Sequence, residues 1–197
     1  MDIDVAFKKR RSRYDLSKKA SVSDQKITAM VQELLKHTPS PYNAQQQRAV
    51  VLLSENHDAL WEIVLNTLKK ETSEKQFEKT KKKIAGFANS YGTILFFNDQ
   101  PTLERLHEKF PKYKDQFSLW FDQSQGMFQY AVWTRLASLG MGASLQHYNP
   151  LIDQAVHDYF EIPSTWKLEA QMPFGIPTEL PKDKSFIDIE ERFKLKK

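Results

Sequence analysis

The chain has no cysteine, which excludes disulfide bonds and metal sites built from thiolates. It contains no apolar run long enough to form a membrane helix, and its opening residues, Met-Asp-Ile-Asp, do not begin a signal peptide. A P-loop is absent too, and the five histidines show no metal-ligand spacing such as H-E-x-x-H. We therefore expect a cytoplasmic protein with no metal ion and no contact with a membrane.

Two glycine-containing stretches resemble enzyme motifs but depart from them at decisive positions. Residues 142–146 resemble a nucleophile elbow, yet the last position is Gln146, and a helix precedes the stretch where the motif needs a strand. Residues 140–142 lack the third glycine and the preceding strand of a dinucleotide-binding fingerprint. If the chain is an enzyme, a bound cofactor therefore carries the chemistry, and no side chain need be catalytic.

The composition that is present is typical of one globular domain. Of the 197 residues, 40% are hydrophobic and 27% are charged, and such a chain can bury a substantial core. We expect a single domain over residues 1–197. Within it, the Lys- and Glu-rich residues 69–83 are predicted to be a solvated, mobile excursion. Prolines 173, 177 and 181 are predicted to carry the chain away from the body, so that residues from about 176 to 197 form a C-terminal arm.

Apolar periodicity predicts few strands among many helices in mixed order, which indicates the α+β class. Strands are predicted over residues 48–53, 91–97 and 164–172, and the first is expected to be buried on both faces. A short helix over residues 2–9 should bury Ile3, Val5 and Phe7 in part. Further helices are predicted from a cap at Ser21, Ser23 or Asp24 to about residue 37 and from a cap at Asn56 or Asp58. Another short helix should end at Phe110. Two more are predicted over residues 117–139 and from Pro150 to about residue 160.

The helix predicted over residues 117–139 is apolar on nearly all sides, so we expect it inside the domain. It is followed by a stretch of mainly small residues from Gly140 to Ser144. One interpretation is a core helix that ends in a glycine cap. The other is a loop that holds a flat ligand against main-chain N–H groups, because glycine lets a ligand approach the backbone closely.

The segment over residues 8–16 has five cations among its first six residues, with Ser12 inside the cluster. It can be a solvated basic terminus or a weak match to a nuclear-localisation signal. A second interpretation is a site for a phosphate monoester, because Arg binds phosphate oxygens in bidentate fashion and a Ser hydroxyl completes the shell. A nucleic-acid surface ranks third, since it would need a wider basic area and more aromatics than Tyr14 alone.

The loop over residues 38–47 is stiffened by two prolines and crowded with uncharged hydrogen-bonding groups. It can be a simple polar turn. Alternatively, its amide side chains can recognise the polar edge of a heterocycle, because an amide both donates and accepts hydrogen bonds.

Three segments occur in one order: RRSRYDL at residues 10–16, PSPYNAQQ at residues 39–46 and GASLQHYNPLID at residues 142–153. Together they resemble the flavin-dependent nitroreductase family. The last segment, with WKLEAQMPFG at residues 166–175, is similar to the small branch of fatty-acid-repression-mutant-like nitroreductases. The resemblance implies a central antiparallel sheet wrapped by helices, in a homodimer with FMN at the subunit interface and the C-terminal arm exchanged between subunits.

The resemblance also implies which residues bind FMN. At the phosphate and ribityl chain they are Arg10, Arg11 and Ser12. Beside the isoalloxazine, often from the other subunit, they are Pro39, Ser40, Asn43 and Gln45, and near flavin N5 they are Gly142, Ala143 and Ser144. A basic residue near the C-terminus reaches the phosphate, either Arg192 or Lys194. Two positions depart from the family pattern: Met141 replaces a frequent Glu, and Arg13 replaces a frequent apolar residue.

The activity implied by the resemblance is transfer of hydride from NADH or NADPH, through flavin N5, to nitroaromatic or quinone-like acceptors. These would be small aromatic molecules, and a role in stress response would fit them. The alternative is a flavin-binding stress-response or regulatory protein with little turnover. Binding of nucleic acid is not expected.

Overall fold

The computed structural model describes residues 2–71, 73–181 and 183–197, and it has the expected α+β architecture. The helices described are α1 (Ile3–Lys9), α2 (Asp24–His37), α3 (Ser54–Glu71), α4 (Glu74–Ala88), α5 (Gln100–Lys109), α6 (Lys114–Ser138) and α7 (Asp153–Phe160). The strands are β1 (Leu16–Ser17), β2 (Gln47–Leu53), β3 (Gly92–Asp99), β4 (Gly142–Ala143) and β5 (Trp166–Pro177). Within the described ranges, no helix is both long and apolar enough to cross a membrane.

The sheet is antiparallel, in the order β1-β5-β3-β2, with β4 pairing to the same end of β5 as β1. All eight residues of the central strand β3 are buried, and they alternate between two cores. Ile94 and Phe96 join the core under α2 and α6, whereas Leu95 and Phe97 join the core under α3, α4 and α7. The predicted burial of β2 on both faces is confirmed in part. Ala49, Val51 and Leu53 pack against the first core, and Val50 and Leu52 belong to the second, although most residues of this edge strand are only half-buried.

The long helix α6 confirms the predicted central helix, but its burial is not complete. Phe128, Val132 and other residues on one side pack against the sheet. On the other side Met127 is 52% exposed and Tyr130 is 46% exposed. The expectation of burial all round is therefore wrong for a single chain, since a sheet covers only one side of a helix. The helix ends as predicted in a left-handed glycine, Gly140, at φ 79°.

Helix α1 lies against α6 and leaves its largest side chains facing solvent. Its N-cap is Asp2, whose carboxylate accepts a hydrogen bond from the Asp4 N–H at 2.8 Å. The buried residue of the helix is Ala6, while Ile3 and Phe7 remain exposed. Phe7 stacks on Tyr130 of α6 at a centroid separation of 5.9 Å. The two helices thus share one exposed apolar face.

Residues 69–83, which were predicted to be a solvated excursion, are mainly helical. Helix α3 extends to Glu71, and α4 begins again at Glu74. Lys and Glu favour helix, and α4 buries Ile84 and Phe87 in the core, so the segment folds although its charged side chains remain in solvent. The predicted caps of α3 are also wrong, because the helix already begins at Ser54.

Strand β5 continues five residues beyond its predicted end, through Pro173, to Pro177. Partners that are distant in sequence extend it: the Tyr91 N–H donates to the Phe174 carbonyl at 2.8 Å, and β1 and β4 both pair with the added residues. The prediction that the chain leaves the body at Pro173 is therefore wrong. The arm also begins later than residue 176, because the N–H groups of Thr178 and Glu179 are hydrogen-bonded to Asp15.

Candidate functional site

The basic segment after α1 lies directly beside the small-residue strand β4. Ser12 forms a parallel bridge with Ala143, and the Arg13 N–H donates to the Ala143 carbonyl at 2.9 Å. The fold thus brings together two of the three predicted segments, although more than a hundred residues separate them in the sequence.

A cleft of about 450 Å³, which we call the basic cleft, opens at this junction. Its volume lies within the range of small-molecule sites. Four cations and one indole are its most distinctive groups. Its lining residues are Lys8, Lys9, Arg11, Arg13, Trp133, Ala137, Gly140, Met141, Gly142, Pro177 and Pro181.

The predicted loop residues lie at different depths around the basic cleft. Gly142 lines it, whereas Ala143 and Ser144 are fully buried behind it. The Ser144 hydroxyl accepts a hydrogen bond from Gln146 Nε2 at 3.1 Å. A Cβ on Gly142 would lie 2.9 Å from the Arg13 Cβ and 2.9 Å from the Pro177 Cγ. In this chain close packing on its own neighbours is therefore enough to require glycine at this position.

The charge of Arg13 is largely occupied within the protein. Its guanidinium forms an ion pair of 2.5 Å with Asp15 and also donates to the carbonyl of Glu179. Partial burial favours the neutral acid, but the Arg13 and main-chain hydrogen bonds outweigh it, so the pKa of Asp15 is lowered. Arg13 thus acts as a structural link between the start of the sheet and the end of β5.

Arg10 and Arg11 point to different surroundings. Arg11 lines the basic cleft. The Arg10 guanidinium instead lies over the rings of Trp133 and Tyr130, at 4.6 and 5.6 Å from their centroids. The Arg10 Nε and the Trp133 Nε1 are both buried without a hydrogen-bond partner. Two unsatisfied donors beside a cationic cleft are the arrangement expected where a polar ligand completes the site.

The third predicted segment, the loop over residues 39–45, is held in one conformation at the opposite half of α6. The Ser124 hydroxyl of α6 donates to the Pro39 carbonyl at 2.7 Å. The Ser40 hydroxyl accepts a hydrogen bond from the Gln45 main-chain N–H at 2.9 Å, and the Arg48 guanidinium donates one to the Gln45 carbonyl at 2.7 Å. These hydrogen bonds order a loop whose backbone conformation is energetically unfavourable.

Three residues of this loop that are not glycine have left-handed backbones. They are Tyr42 and Asn43 at φ 53° and Gln45 at φ 52°. Each such residue costs roughly 1–2 kcal/mol, and strain of this kind concentrates at functional sites. The side chains of Asn43 and Gln45 are exposed, so their amides are available to a ligand. Gln45 also lines a polar groove of about 340 Å³ with Lys36 and Arg48.

The two regions do not meet in one chain. The loop over residues 39–45 contacts α6 at Ser124, whereas the basic cleft is lined by Ala137, thirteen positions later. At 1.5 Å per residue these two contact points lie about 20 Å apart along the helix.

The C-terminal candidates lie outside both regions. Arg192 and Lys194 are exposed on the arm, next to the short 3₁₀ helix Ile189–Glu191. In the part of the chain that the structure describes, neither lines the basic cleft and neither forms an ion pair.

The structure adds residues that the sequence did not single out. Trp133 lines the basic cleft, but in the sequence it is one apolar residue among many in α6. Arg48 and Ser124 anchor the loop over residues 39–45. Arg48 follows the loop motif directly, which is a usable signal; for Ser124 nothing in the sequence indicates the contact.

The Nitroreductase family model matches residues 7–176, which include the loop over residues 39–45, the sheet up to Ile176 and the lining of the basic cleft except Pro177 and Pro181. The chain therefore belongs to the Nitroreductase family, a family of flavin-dependent oxidoreductases. This confirms the family inferred from the three segments.

Individual relatives identify the branch. The chain is 32% identical to nitroreductase FRM2 of Saccharomyces cerevisiae, over 93% of this chain and 92% of that protein. It is also 32% identical to the putative nitroreductase HBN1 of the same yeast, over 83% and 82%. Among solved structures, nitroreductase CinD from Lactococcus lactis is 38% identical with a TM-score of 0.91, and each chain is covered completely. The fatty-acid-repression-mutant-like branch is thereby confirmed.

Proposed function

We propose that the protein is an FMN-dependent oxidoreductase that takes hydride from NADH or NADPH and reduces nitroaromatic or quinone-like acceptors. The observation that carries this proposal is the basic cleft, where Arg11 and two lysines surround a space of about 450 Å³. FMN ends in a phosphate dianion, and clustered cations with a nearby hydroxyl at Ser12 suit that group. The unsatisfied donors of Arg10 and Trp133 favour a polar occupant as well.

The separation of the two regions supports a homodimer in which FMN lies between subunits. A two-fold axis across the exposed face of α1 and α6 would bring the loop over residues 39–45 of one chain towards the basic cleft of the other. That face includes the exposed residues Ile3, Phe7, Met127 and Tyr130. Large exposed apolar surfaces of this kind are typical of interfaces.

The arm supports the same assembly. Among the described residues beyond Glu179, the large apolar side chains are all more than half exposed, and Leu180 is 92% exposed. The others are Phe186, Ile187, Ile189, Phe193 and Leu195. We propose that the arm is exchanged between subunits, and that Arg192 or Lys194 there reaches the phosphate in the partner's cleft.

The chemistry follows from what each part would hold. FMN, when bound, supplies a two-electron carrier between a nicotinamide and an acceptor. The basic cleft holds the phosphate, and the amides of Asn43 and Gln45 hydrogen-bond the polar edge of the ring system. For a nitro group, the balance is NAD(P)H, one proton and R–NO₂ giving NAD(P)⁺, R–NO and water. The protein contributes orientation and exclusion of water, without a covalent step of its own.

The acceptor class is proposed from relatives. Structures of CinD hold nicotinic acid, chloramphenicol and 4-nitrophenol, each of which contains a flat aromatic ring. We therefore propose aromatic acceptors for this chain too, and a stress-response role in the cytoplasm that removes them.

The test begins with the purified protein. We expect a yellow protein with one FMN per chain that sediments as a dimer, and stopped-flow reduction of the flavin by NADH or NADPH. A colourless protein that takes up no added FMN would overturn the proposal. A flavoprotein that neither nucleotide reduces would instead favour the regulatory alternative.

A further inference from the structure

The loop over residues 39–45 presents one aromatic ring to solvent. Tyr42 is 56% exposed, and one face of its ring is covered by Phe110, at a centroid separation of 4.5 Å and an interplanar angle of 22°. The exposed part of the Tyr42 ring is a surface on which a flat ligand can stack.

Other aromatic rings make this support rigid. Phe117 contacts both Tyr42 and Phe110, at centroid separations of 5.9 and 6.2 Å. Trp120 meets Phe117 edge to face at 5.3 Å. Phe117 itself is fully buried in the small core between α5 and α6. The Tyr42 ring is therefore attached to the body of the protein through packed side chains.

A cleft of about 290 Å³ adjoins the ring. We call it the aromatic cleft, and its lining residues are Pro39, Ser40, Pro41, Tyr42, Trp120, Gln123, Ser124 and Met127. Two flat rings, a thioether and only a few polar groups make it suited to an uncharged aromatic ring, and the Gln123 amide can hydrogen-bond a substituent of that ring.

The backbone under Tyr42 indicates that the ring is positioned for a ligand. The residue has φ 53°, a conformation that a bulky side chain adopts at a cost. The anchors at Pro39 and Gln45 hold it there even though Tyr42 gains little burial in return. Binding a ring to a surface already ordered in this way loses little conformational entropy.

We propose that Tyr42, supported by Phe110, is the residue on which the ring of an aromatic acceptor stacks, and that it determines the preference for aromatic over non-aromatic acceptors. This inference rests on the proposed function and names the substrate-recognition surface within it. Tyr42 binds and orients the acceptor, and it takes no part in electron or proton transfer.

The test compares four substitutions in the full-length protein loaded with FMN. Tyr42→Asn removes the ring and keeps a residue that tolerates the left-handed backbone. Tyr42→Phe keeps the ring, and Phe110→Leu removes its support. Tyr159→Asn is the matched control, because Tyr159 is 59% exposed on α7 and, among the residues that the structure describes, its ring contacts only that of Phe160.

Two measurements separate binding from chemistry. The first is calorimetric binding of 4-hydroxybenzamide, an uncharged aromatic probe that reduced flavin does not reduce, to the oxidised protein. The second is the rate at which dithionite-reduced protein is oxidised by nitrobenzene, compared with ferricyanide, which needs no stacking surface. We expect Tyr42→Asn to weaken probe binding and raise the KM for nitrobenzene by about 2- to 12-fold, as for the loss of an aromatic pair. Phe110→Leu should weaken probe binding and raise the KM for nitrobenzene in the same way, but by a smaller factor.

The expected pattern also requires that oxidation by ferricyanide stays unchanged in every variant, and that Tyr42→Phe and Tyr159→Asn resemble wild type. Equal probe affinity and KM in wild type and Tyr42→Asn would overturn the inference. So would loss of FMN from Tyr42→Asn alone, because Tyr42 would then contact the cofactor. Failure of the proposed function is distinct: the wild-type protein itself would lack flavin or remain inert to nitrobenzene.

Discussion

The basic cleft and the loop over residues 39–45 differ in nearly every physical respect. The basic cleft is cationic, and its backbone is ordered by strand pairing between Ser12 and Ala143. The loop presents mainly uncharged groups, and its strained backbone is held by side-chain hydrogen bonds to Pro39 and Gln45. The first suits an anion, and the second suits the edge and face of a flat ring.

Their positions explain why one chain carries both. Each borders α6, and their contacts at Ser124 and Ala137 lie about 20 Å apart along the helix. In the proposed homodimer, one FMN would use the basic cleft of one chain and the loop of the other, so that a two-fold axis would give two complete pairs. The following experiments test that arrangement, from the largest expected effect to the smallest.

Ending the chain after Pro181 should have the largest effect, because it removes most of the exposed apolar arm and retains the Glu179 contacts to Arg13 and Asp15. We expect the dimer to dissociate and FMN affinity to fall by at least about a hundredfold, or ~2.7 kcal/mol. Sedimentation and flavin titration measure the two effects. Full-length Arg192→Ala and Lys194→Ala variants separate phosphate contact from packing. A truncated dimer with wild-type affinity would exclude arm exchange.

Arg11→Ala should weaken FMN binding by roughly 1.5–3 kcal/mol, the value of a charge-assisted hydrogen bond. Arg13→Ala is the matched control, because Arg13 already pairs with Asp15 and should affect stability more than affinity. Arg10→Ala tests whether its stacked guanidinium contributes to phosphate binding. Riboflavin, which lacks the phosphate, should bind all three variants alike. Equal FMN affinities would indicate a merely solvated basic terminus.

Gly142→Val should destabilise the junction between the basic segment and β4. The new side chain would overlap Arg13 and Pro177, and overpacking typically costs about 1–3 kcal/mol. The expected fall in melting temperature is about 2–4 °C per kcal/mol for a chain of this size. Gly126→Ala on α6 is the control, because a Cβ there meets no atom within 4 Å. If Gly142→Val melts like wild type, the packing argument for Gly142 is wrong.

The smallest expected effect concerns His57, which lies outside both regions. Burial lowers the pKa of His57, and the positive charge of Lys18 lowers it further. The Ala88 carbonyl and Asp58 favour the charged form, but they do not offset the effect of burial. The unfolded chain therefore takes up this proton first as the pH falls below about 6.5, and stability decreases. We expect His57→Gln to lose less stability than wild type between about pH 7 and pH 5. If the melting temperatures of the two proteins change by the same amount over this pH range, the expectation is contradicted.

The elements that could be predicted have local physical causes. Helix α2 begins after the Ser23 cap and ends at His37 before Pro39 because cap, periodicity and proline act within a few residues. The first two main strands were located because their residues are apolar and β-branched or aromatic, and the third because its residues alternate after Trp166. The two-residue strands β1 and β4 could not be found, since such short strands have no period and exist only through pairing with β5.

For the proposed site, the sequence suggested a chemistry and could not suggest a geometry. Arginines beside Ser12 are compatible with a phosphate whatever the fold, and the amides of the loop over residues 39–45 are compatible with a polar ring edge. The pairing of Arg13 with Asp15, the packing of Trp133 under Arg10 and the support of Tyr42 by Phe110 depend on segments that meet only in the folded chain. No short-range pattern reports such contacts.

By itself the sequence determined the α+β class, the order of the main elements and the residue types that suit a phosphate and a heterocycle, because these depend on local propensity and side-chain chemistry. Only the tertiary structure decided that Gly142 is required by Arg13 and Pro177, that β5 continues to Pro177, and that the basic cleft and the loop over residues 39–45 lie at opposite ends of α6. Those facts depend on packing between segments that are distant in the sequence. A helix, for example, packs on a sheet with one side only, so its other side stays exposed.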